Sequence, residues 1–315
     1  MNKSIFNTAV AVVVAAVFCV GCGGGGSSKP ASLTGQWVEV TSYNTEMELF
    51  SDGTAVYKAK GLTISGKWSV VDKRFVVSVS AGVGPEVSEA SDYKISGYEL
   101  TLVDNNKDTS IYVRKEKLEE FKEKQAAEKA TRIAATKREV EKTPTFTDSR
   151  DGKIYKRTAI GEQVWMSENL NYAEEGSKCY GSSDNNCAKY GRLYNWATAL
   201  KACPAGFHLP SDDEWKTLEN TVGGSSTAGT KLKSTSGWNN NGNGTDEFGF
   251  TALPVGGGDS GGSFDDTGIY GLWWSATEDD AKYAWSRHMT YNYAFVNRKA
   301  YNKTTVLLSV RCVQN

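Results

Sequence analysis

From Leu33 to Arg114 apolar and polar residues alternate with period two in short runs, and each run ends in a turn signal. The stretches "QWVEVTSY", "MELFSDGTAVYKA", "GKWSVVDKRFVVSVS" and "YKISGYELTLVDNNKDTSIYVR" are broken by Ser-Asp-Gly, Asp-Lys, Ser-Gly and Asp-Asn-Asn-Lys. Alternation sends successive side chains to opposite faces, so the pattern predicts an antiparallel β meander with one buried face. Between Arg114 and Lys142 the pattern changes: ten Lys or Arg and seven Glu are interleaved with Ala, with no Gly or Pro. Helix propensity and pairs such as Glu120 with Lys124 predict one exposed helix about 43 Å long. Leu118, Phe121, Ile133 and Val140 sustain no heptad stripe, so it reads as a spacer rather than a coiled coil, ended by Thr143-Pro144.

Beyond Phe146 regular periodicity gives way to Gly, Asn and Tyr, and seven of the nine tryptophans lie here, at 165, 196, 215, 238, 273, 274 and 285. Long irregular loops pinned by aromatics are expected, and most of these rings are expected in the core. One helix is plain in "HLPSDDEWKTLENTVGG": Ser211 and Glu214 form a capping box, Trp215, Leu218 and Val222 share a face, and Gly223-Gly224 stops it. "YGRLYNWATALKAC" reads as a second helix with Leu193, Trp196, Ala197 and Leu200 inward. At the other end, Gly35-Gln36-Trp37 is the G-x-W with which lipocalin-like barrels open, and residues 33–114 resemble a short barrel of that kind. Trp37 equally suits an ordinary core position.

The 36 Lys and Arg nearly cancel the 37 Asp and Glu, so bulk charge offers nothing to a nucleic-acid partner. Lys3 precedes an apolar run from Ala9 to Val20, too short to span a bilayer and suited to a signal peptide. The run closes on Val20-Gly21-Cys22, which resembles the lipobox of bacterial lipoproteins, with Cys19 where Leu is usual. That resemblance implies lipidation of Cys22, a membrane partner and an outer-membrane location, with Gly23 to Ser28 as a flexible tether. Removing Cys19 and Cys22 leaves Cys179, Cys187, Cys203 and Cys312, which allow three pairings. If Cys179 and Cys187 close a small loop, Cys203 and Cys312 close one of over a hundred residues. On the chain-entropy picture that long loop is worth up to about 4.7 kcal/mol.

Three stretches suggest chemistry. Gly258-Asp259-Ser260-Gly261-Gly262 spells both a protease nucleophile signature and a G-x-S-x-G elbow. A triad would need His208, or Ser260 with Asp279 or Asp280 and His288; yet "GSFDDTGIYG" starts no helix after the serine. A flexible surface loop is the expectation, and no serine-hydrolase activity. Asn239, Asn241, Asn243 and Asp246 imitate the start of a calcium loop, with Gly244 at the sixth place, but Phe250 stands where a bidentate Glu belongs. Calcium is therefore a candidate cofactor on incomplete ligands.

In order along the chain, "DGKIYKRTAIGEQVWMSENLNY", "YGRLYNWATAL", "CPAGFHLPSDDEWKTL", "GTKLKSTSGW", "GTDEFGFTALPVGG", "WWSAT" and "SVRCV" closely resemble the Fibrobacter succinogenes major paralogous domain, from about Asp151 to Val313. That family resembles the C-type-lectin-like fold of formylglycine-generating enzymes, in which a cysteine in a "CPAGFHLP"-like motif pairs with one near the C-terminus. The resemblance thus implies Cys203 with Cys312, and leaves Cys179 with Cys187. The redox cysteine pair of those enzymes has no counterpart here. The expected chain is multi-domain: signal peptide 1–21, lipidated cysteine and linker 22–32, a small lipocalin-like antiparallel β barrel 33–114, a charged helical linker 115–145, and an α+β lectin-like domain with disulfides 146–315. The function implied is a lipid-anchored envelope module that binds, with polysaccharide as partner, rather than catalyses. The alternatives are a display protein without a small ligand, or a degenerate enzyme relative. A fatty-acid probe fed to expressing cells should label the wild type and not Cys22→Ser; equal labelling of both would remove the lipoprotein reading.

Overall fold

The computed structural model describes residues 27–28, 30–40, 45–79 and 87–315. The signal peptide and Cys22 lie outside the described residues. Contacts cluster into two compact units, residues 1–128 and 129–315.

The first unit is a closed eight-stranded barrel. Its strands are β1 Gly35–Glu39, β2 Thr45–Leu49, β3 Thr54–Ala59, β4 Leu62–Val71, β5 Arg74–Val79, β6 Val87–Ser96, β7 Glu99–Val103 and β8 Thr109–Arg114. Each pairs antiparallel with the next. β8 pairs with β1 through Val38 opposite Val113, so no edge is left unpaired around the ring. The turn signals sit where the hairpins close. Lys60-Gly61 and Asp72-Lys73 each place two successive residues at positive φ, the left-handed pair that two-residue hairpins require. Asp104 Oδ1 accepts from the backbone N–H groups of Asn106 and Asp108 and so shapes the β7–β8 turn. Alternation fills the interior with Trp37, Met47, Leu49, Trp68, Phe75, Leu100 and Leu102. Trp37 is a core residue, its indole N–H donating to Leu33 O at 2.9 Å.

The barrel begins earlier than the alternation implied. Ser27–Ser28 pairs with Val70 and Val71, and a 3-10 turn, Ala31–Leu33, buries Leu33 completely. Of the stretch 22–32 expected as linker, Ser27–Ser28 thus pairs with a barrel strand and Ala31 begins the turn that buries Leu33.

A short 3-10 turn, Lys115–Lys117, leads into helix α1, Leu118–Lys142, about 38 Å long. The expectation of a wholly exposed spacer needs correction. Phe121 and Val140 are buried, and the second half of α1 is tied down by an ion pair from Arg132 to Glu162 and by one from Arg157 to Glu139 at 2.9 Å. Sparse apolar positions carry too weak a stripe to reveal this from spacing.

The second unit holds two sheets. One runs in the order Thr145–Thr147, Ile154–Ile160, Gln163–Met166, Val313–Gln314, Phe207–His208. The other orders Phe264–Asp265, Gly257–Asp259, Val306–Ser309, Tyr270–Glu278, Tyr283–Thr290 and Asn297–Asn302. Four short helices pack around them: α2 Asp184–Tyr190, α3 Trp196–Ala202, α4 Asp212–Thr221 and α5 Ser225–Leu232. The α4 capping box forms as its sequence dictates, and Trp215, Leu218 and Val222 are buried. The predicted second helix is only partly right. Leu193–Tyr194 is a strand, and in α3 it is Thr198, Ala199 and Ala202 that turn inward while Ala197 and Leu200 face solvent. The Asn195 cap starts the helix at Trp196, six residues into the stretch expected to be helical, and its inner face differs from the one expected.

Six of the seven tryptophans of this unit are buried, and each of their indole N–H groups finds an acceptor; Trp273, for example, donates to Asn169 Oδ1 at 2.8 Å and Trp274 to Tyr194 O at 2.7 Å. Cystines join Cys179 to Cys187 and Cys203 to Cys312. The second ties the end of α3 to the C-terminal strand. Non-reducing peptide mapping should recover these two pairs, and removing Cys203 and Cys312 together as Ser should cost about 2–5 kcal/mol in urea unfolding; a crossed pairing or an unchanged midpoint would contradict the topology.

Candidate functional site

The chemistry of the second unit is organised around Arg311, which is fully buried. Its Nε and Nη2 donate to Asn169 Oδ1 at 3.1 and 2.7 Å, and its remaining N–H groups reach the carbonyls of Met166, Phe250 and Thr251. Burial pulls this guanidinium down to about 9, against the pull of Asp246 and Glu168, so it stays protonated at neutral pH. Asn169 uses its amide N–H to hold Tyr190 O at 2.9 Å. One arginine and one asparagine thereby position Thr251, Tyr190 and the segment from Met166 to Asn169.

These same residues form one wall of a polar pocket of about 280 Å3, near the lower end of the sizes that hold small ligands. Lys153, Glu168, Asn171 and Lys189 stand around it with Tyr155 and Tyr190. Gly191 at the end of α2 has φ +79°, and a Cβ there would meet Asn169 and Leu170 O within 2.9 Å, so this wall depends on a bare backbone. Tyr155 Oη accepts from Asn171 N at 3.1 Å, and burial pushes the phenol up to about 12, which keeps it protonated. Lys153 Nζ bonds Asn171 O and Asp151, whereas the Lys189 ammonium lies 4.6 Å from the Tyr190 ring. Two ammoniums, a carboxylate and carboxamides around one concavity can hydrogen-bond a hydroxyl-rich molecule from several sides. Lys153, Asn171 and Lys189 were not singled out in the sequence, because single polar residues on three separate elements leave no motif.

The residues that were singled out lie elsewhere. Ser260 is exposed in a tight hairpin between Gly257–Asp259 and Phe264–Asp265, not in a flexible loop. Its N–H donates to Thr305 O at 2.9 Å, its carbonyl accepts from Lys178 Nζ at 2.9 Å, and Asp259 Oδ1 accepts from Ser263 N. His288 stands mid-strand opposite Leu272 and Asn297, while Asp279 and Asp280 lie at the hairpin turn, about 17 Å along the strand at the usual rise. Burial, with Lys299 beside it, lowers the His288 pKa. His208 is half-exposed and held between Glu214 Oε1 and Asn315 Oδ1, each at 2.7 Å.

In the calcium-like loop, Asn243 Oδ1 accepts from Trp238 N at 3.0 Å, and the two Asp246 oxygens accept from the N–H and hydroxyl of Thr251. Asn239 packs against Gly268, and Asn241 is exposed. Asn243 and Asp246 thus help close the turn that delivers Thr251 to Arg311. Among the described residues no group of three His, Cys, Asp or Glu converges on one point.

A second charged centre joins α4 to its sheet. Arg287, nearly buried, bonds Asp212 and Glu219, and Arg298 shares Asp212 at 2.9 Å. Burial pulls the Asp212 carboxyl up, but bonds from both arginines outweigh it and leave the group below its ordinary value. Arg298 lies flat over Trp285, 3.2 Å from the ring centre, so the half-buried tryptophan of the unit already has a face covered.

A two-sheet α+β module, pinned by two cystines and built around buried cations, is the class this unit defines. Residues 158–314 match the model of the Fibrobacter succinogenes major domain, and the chain carries a domain of that family. No curated protein and no solved structure matches the chain. Because Ser260 belongs to a hairpin turn with no base beside it in the strand order, Ser260→Ala should leave thermal stability unchanged within error. A fluorophosphonate probe should not label the protein; stoichiometric labelling lost in Ser260→Ala would reverse this reading.

Proposed function

We propose that the chain is a lipid-anchored cell-envelope protein, held at the outer membrane through Cys22, whose C-terminal module binds polysaccharide and does not catalyse. The polar pocket framed by Lys153, Glu168, Asn171 and Lys189 carries this reading. Its size suits one or two sugar residues, and its mixed donors and acceptors match vicinal hydroxyls. The usual tryptophan platform is not the recognition element here, since six of the seven rings of this unit are committed to the core and Trp285 lies under Arg298. The C-type-lectin-like relation stands on the same footing: the Cys203–Cys312 cystine and the loop-rich second sheet support it. His208 is held by Glu214 and Asn315, and the four cysteines are paired with each other, which supports a binding rather than a catalytic reading.

The test is retention of the mature chain, made soluble by Cys22→Ser, on cellulose, xylan and a glycan array. Lys189→Ala combined with Glu168→Gln should weaken retention at least tenfold. Unfolding should shift by no more than about 0.5 kcal/mol, since neither side chain is buried. Failure to bind any polysaccharide would favour a display role without a small ligand. Binding insensitive to the double variant would move the site elsewhere.

A further inference from the structure

The two cystines of the second unit stand in unlike surroundings. Cys203 and Cys312 join points 109 residues apart, and Cys312 is fully buried in a core with Met166, Trp274 and Val310. Cys179 and Cys187 are 8 residues apart, and Gly181, Ser182, Asp184, Asn185 and Ala188 between them are exposed. Cys187 lines the polar pocket, and Ala188, Lys189, Tyr190 and Gly191 continue its wall. These residues carry and end α2, a helix of 7 residues that no side chain caps at its start. So short a helix does not persist on its own hydrogen bonds. It is pinned through the cystine at Cys187 and through Asn169, whose amide N–H donates to Tyr190 O.

Charge marks the short-range cystine further. Arg192 Nη1 stands 3.5 Å from Cys179 Sγ and 3.5 Å from Cys187 Sγ. Its guanidinium is fixed there, Nε donating to Ser177 Oγ at 2.8 Å and Nη2 to Ser177 O at 3.2 Å. These bonds go to a hydroxyl and a carbonyl rather than to a carboxylate, so the positive charge is left facing the sulfurs. A cation beside a disulfide lowers the energy of the thiolate that leaves when the bond is attacked, which speeds exchange and favours the reduced pair. Asp184 Oδ1 lies 3.7 Å from Cys179 Sγ on the exposed side, where it can accept from a protonated thiol. Loss of this cystine also frees the unfolded chain little, because the loop it closes is short.

We propose that Cys179–Cys187 is a redox-sensitive clasp on the pocket wall, opened by thiol–disulfide exchange with a small dithiol. One thiolate of the reagent attacks Cys187 Sγ, the sulfur of the residue that lines the pocket. A mixed disulfide forms there, the Cys179–Cys187 bond breaks, and Cys179 leaves as a thiolate against Arg192. Cys179 then takes up a proton and donates its S–H to Asp184. The second thiol of the reagent, deprotonated, attacks the reagent's own sulfur in the mixed disulfide, closes the reagent's disulfide and releases Cys187, which is protonated in turn. Two electrons and two protons have passed from the dithiol to the cystine. α2 has then lost its covalent tie, and Lys189 its fixed place in the wall. Both cysteines are buried beside a concavity of about 280 Å3, which admits a small dithiol and not the surface of a protein. The exchange is independent of the polysaccharide reading.

The mature Cys22→Ser chain, held under native conditions in graded dithiothreitol, tests this when free thiols are trapped with iodoacetamide and mapped by mass spectrometry. Cys179 and Cys187 should be modified at least about tenfold faster than Cys203 and Cys312. Trypsin should then cut after Lys189 about tenfold faster than in the oxidised chain, while the near-ultraviolet circular dichroism of the tryptophan core is retained. Arg192→Met should slow the reduction about fivefold, and Arg192→Lys should restore most of the rate. Mere loosening through the lost bonds to Ser177 would speed exchange instead, so the sign of the change separates charge from packing. Equal rates at all four cysteines, or Cys203–Cys312 opening first, would overturn the proposal. So would selective reduction that leaves cleavage after Lys189 unchanged, or Arg192→Met exchanging as fast as the wild type. The ranking of the two cystines needs no variant and decides the matter even if Arg192→Met does not fold.

Discussion

The C-terminal unit depends on a positive charge taken out of water. Arg311 has no ordinary reason to be at the centre of a small module, since burying a guanidinium is costly unless its donors are all used. Here they are used on loops. The carbonyls of Phe250 and Thr251 lie outside the named strands and helices and that of Met166 at the end of the strand Gln163–Met166, and the planar fork of one arginine reaches all of them along with Asn169. Lys233 repeats the device, its ammonium bonding the carbonyls of Thr290, Tyr291 and Tyr293. A unit this rich in irregular backbone replaces part of the missing ladder with buried cations.

That solution couples architecture to the pocket. Asn169 accepts from Arg311 and from the Trp273 indole, and it holds Tyr190 O. Through it the aromatic core, the C-terminal strand beside Cys312 and the pocket wall become one connected structure. The Asp246 carboxylate takes part from the other side by fixing Thr251, so the loop that imitates the start of a calcium site serves as a hydrogen-bonded brace.

The barrel satisfies its backbone in the opposite way. Closure of β8 on β1 pairs every strand on both sides, and Arg114 bonds the carbonyls of Ser32 and Thr34 before the first strand. Among the described residues of the barrel, the hydroxyls of Tyr57 and Tyr112, placed inward by strict alternation, have no hydrogen-bond partner. The two units thus differ in how their backbone is satisfied, with buried cations on loops in one and a closed ladder in the other.

Much of this was legible along the chain. The meander, its turns at Asp72-Lys73 and Ser96-Gly97, the charged helix and the α4 capping box follow from local rules of spacing and propensity, which act within a few residues, while the family of the C-terminal half rests on the resemblance of its motifs. The closing partnership of β1 with β8, the burial of Phe121 and Val140 on α1, and the rotated face of α3 do not, because each depends on residues far apart in sequence. The same holds for the sites. GDSGG, the asparagine-rich loop and the tryptophans stand out locally, yet become a hairpin turn, a brace and core. Lys153, Asn171 and Lys189 beside one pocket are unremarkable where they stand in the chain. Only folding makes them neighbours, since a binding site is defined by convergence in space, and strand pairing and loop closure decide which side chains converge.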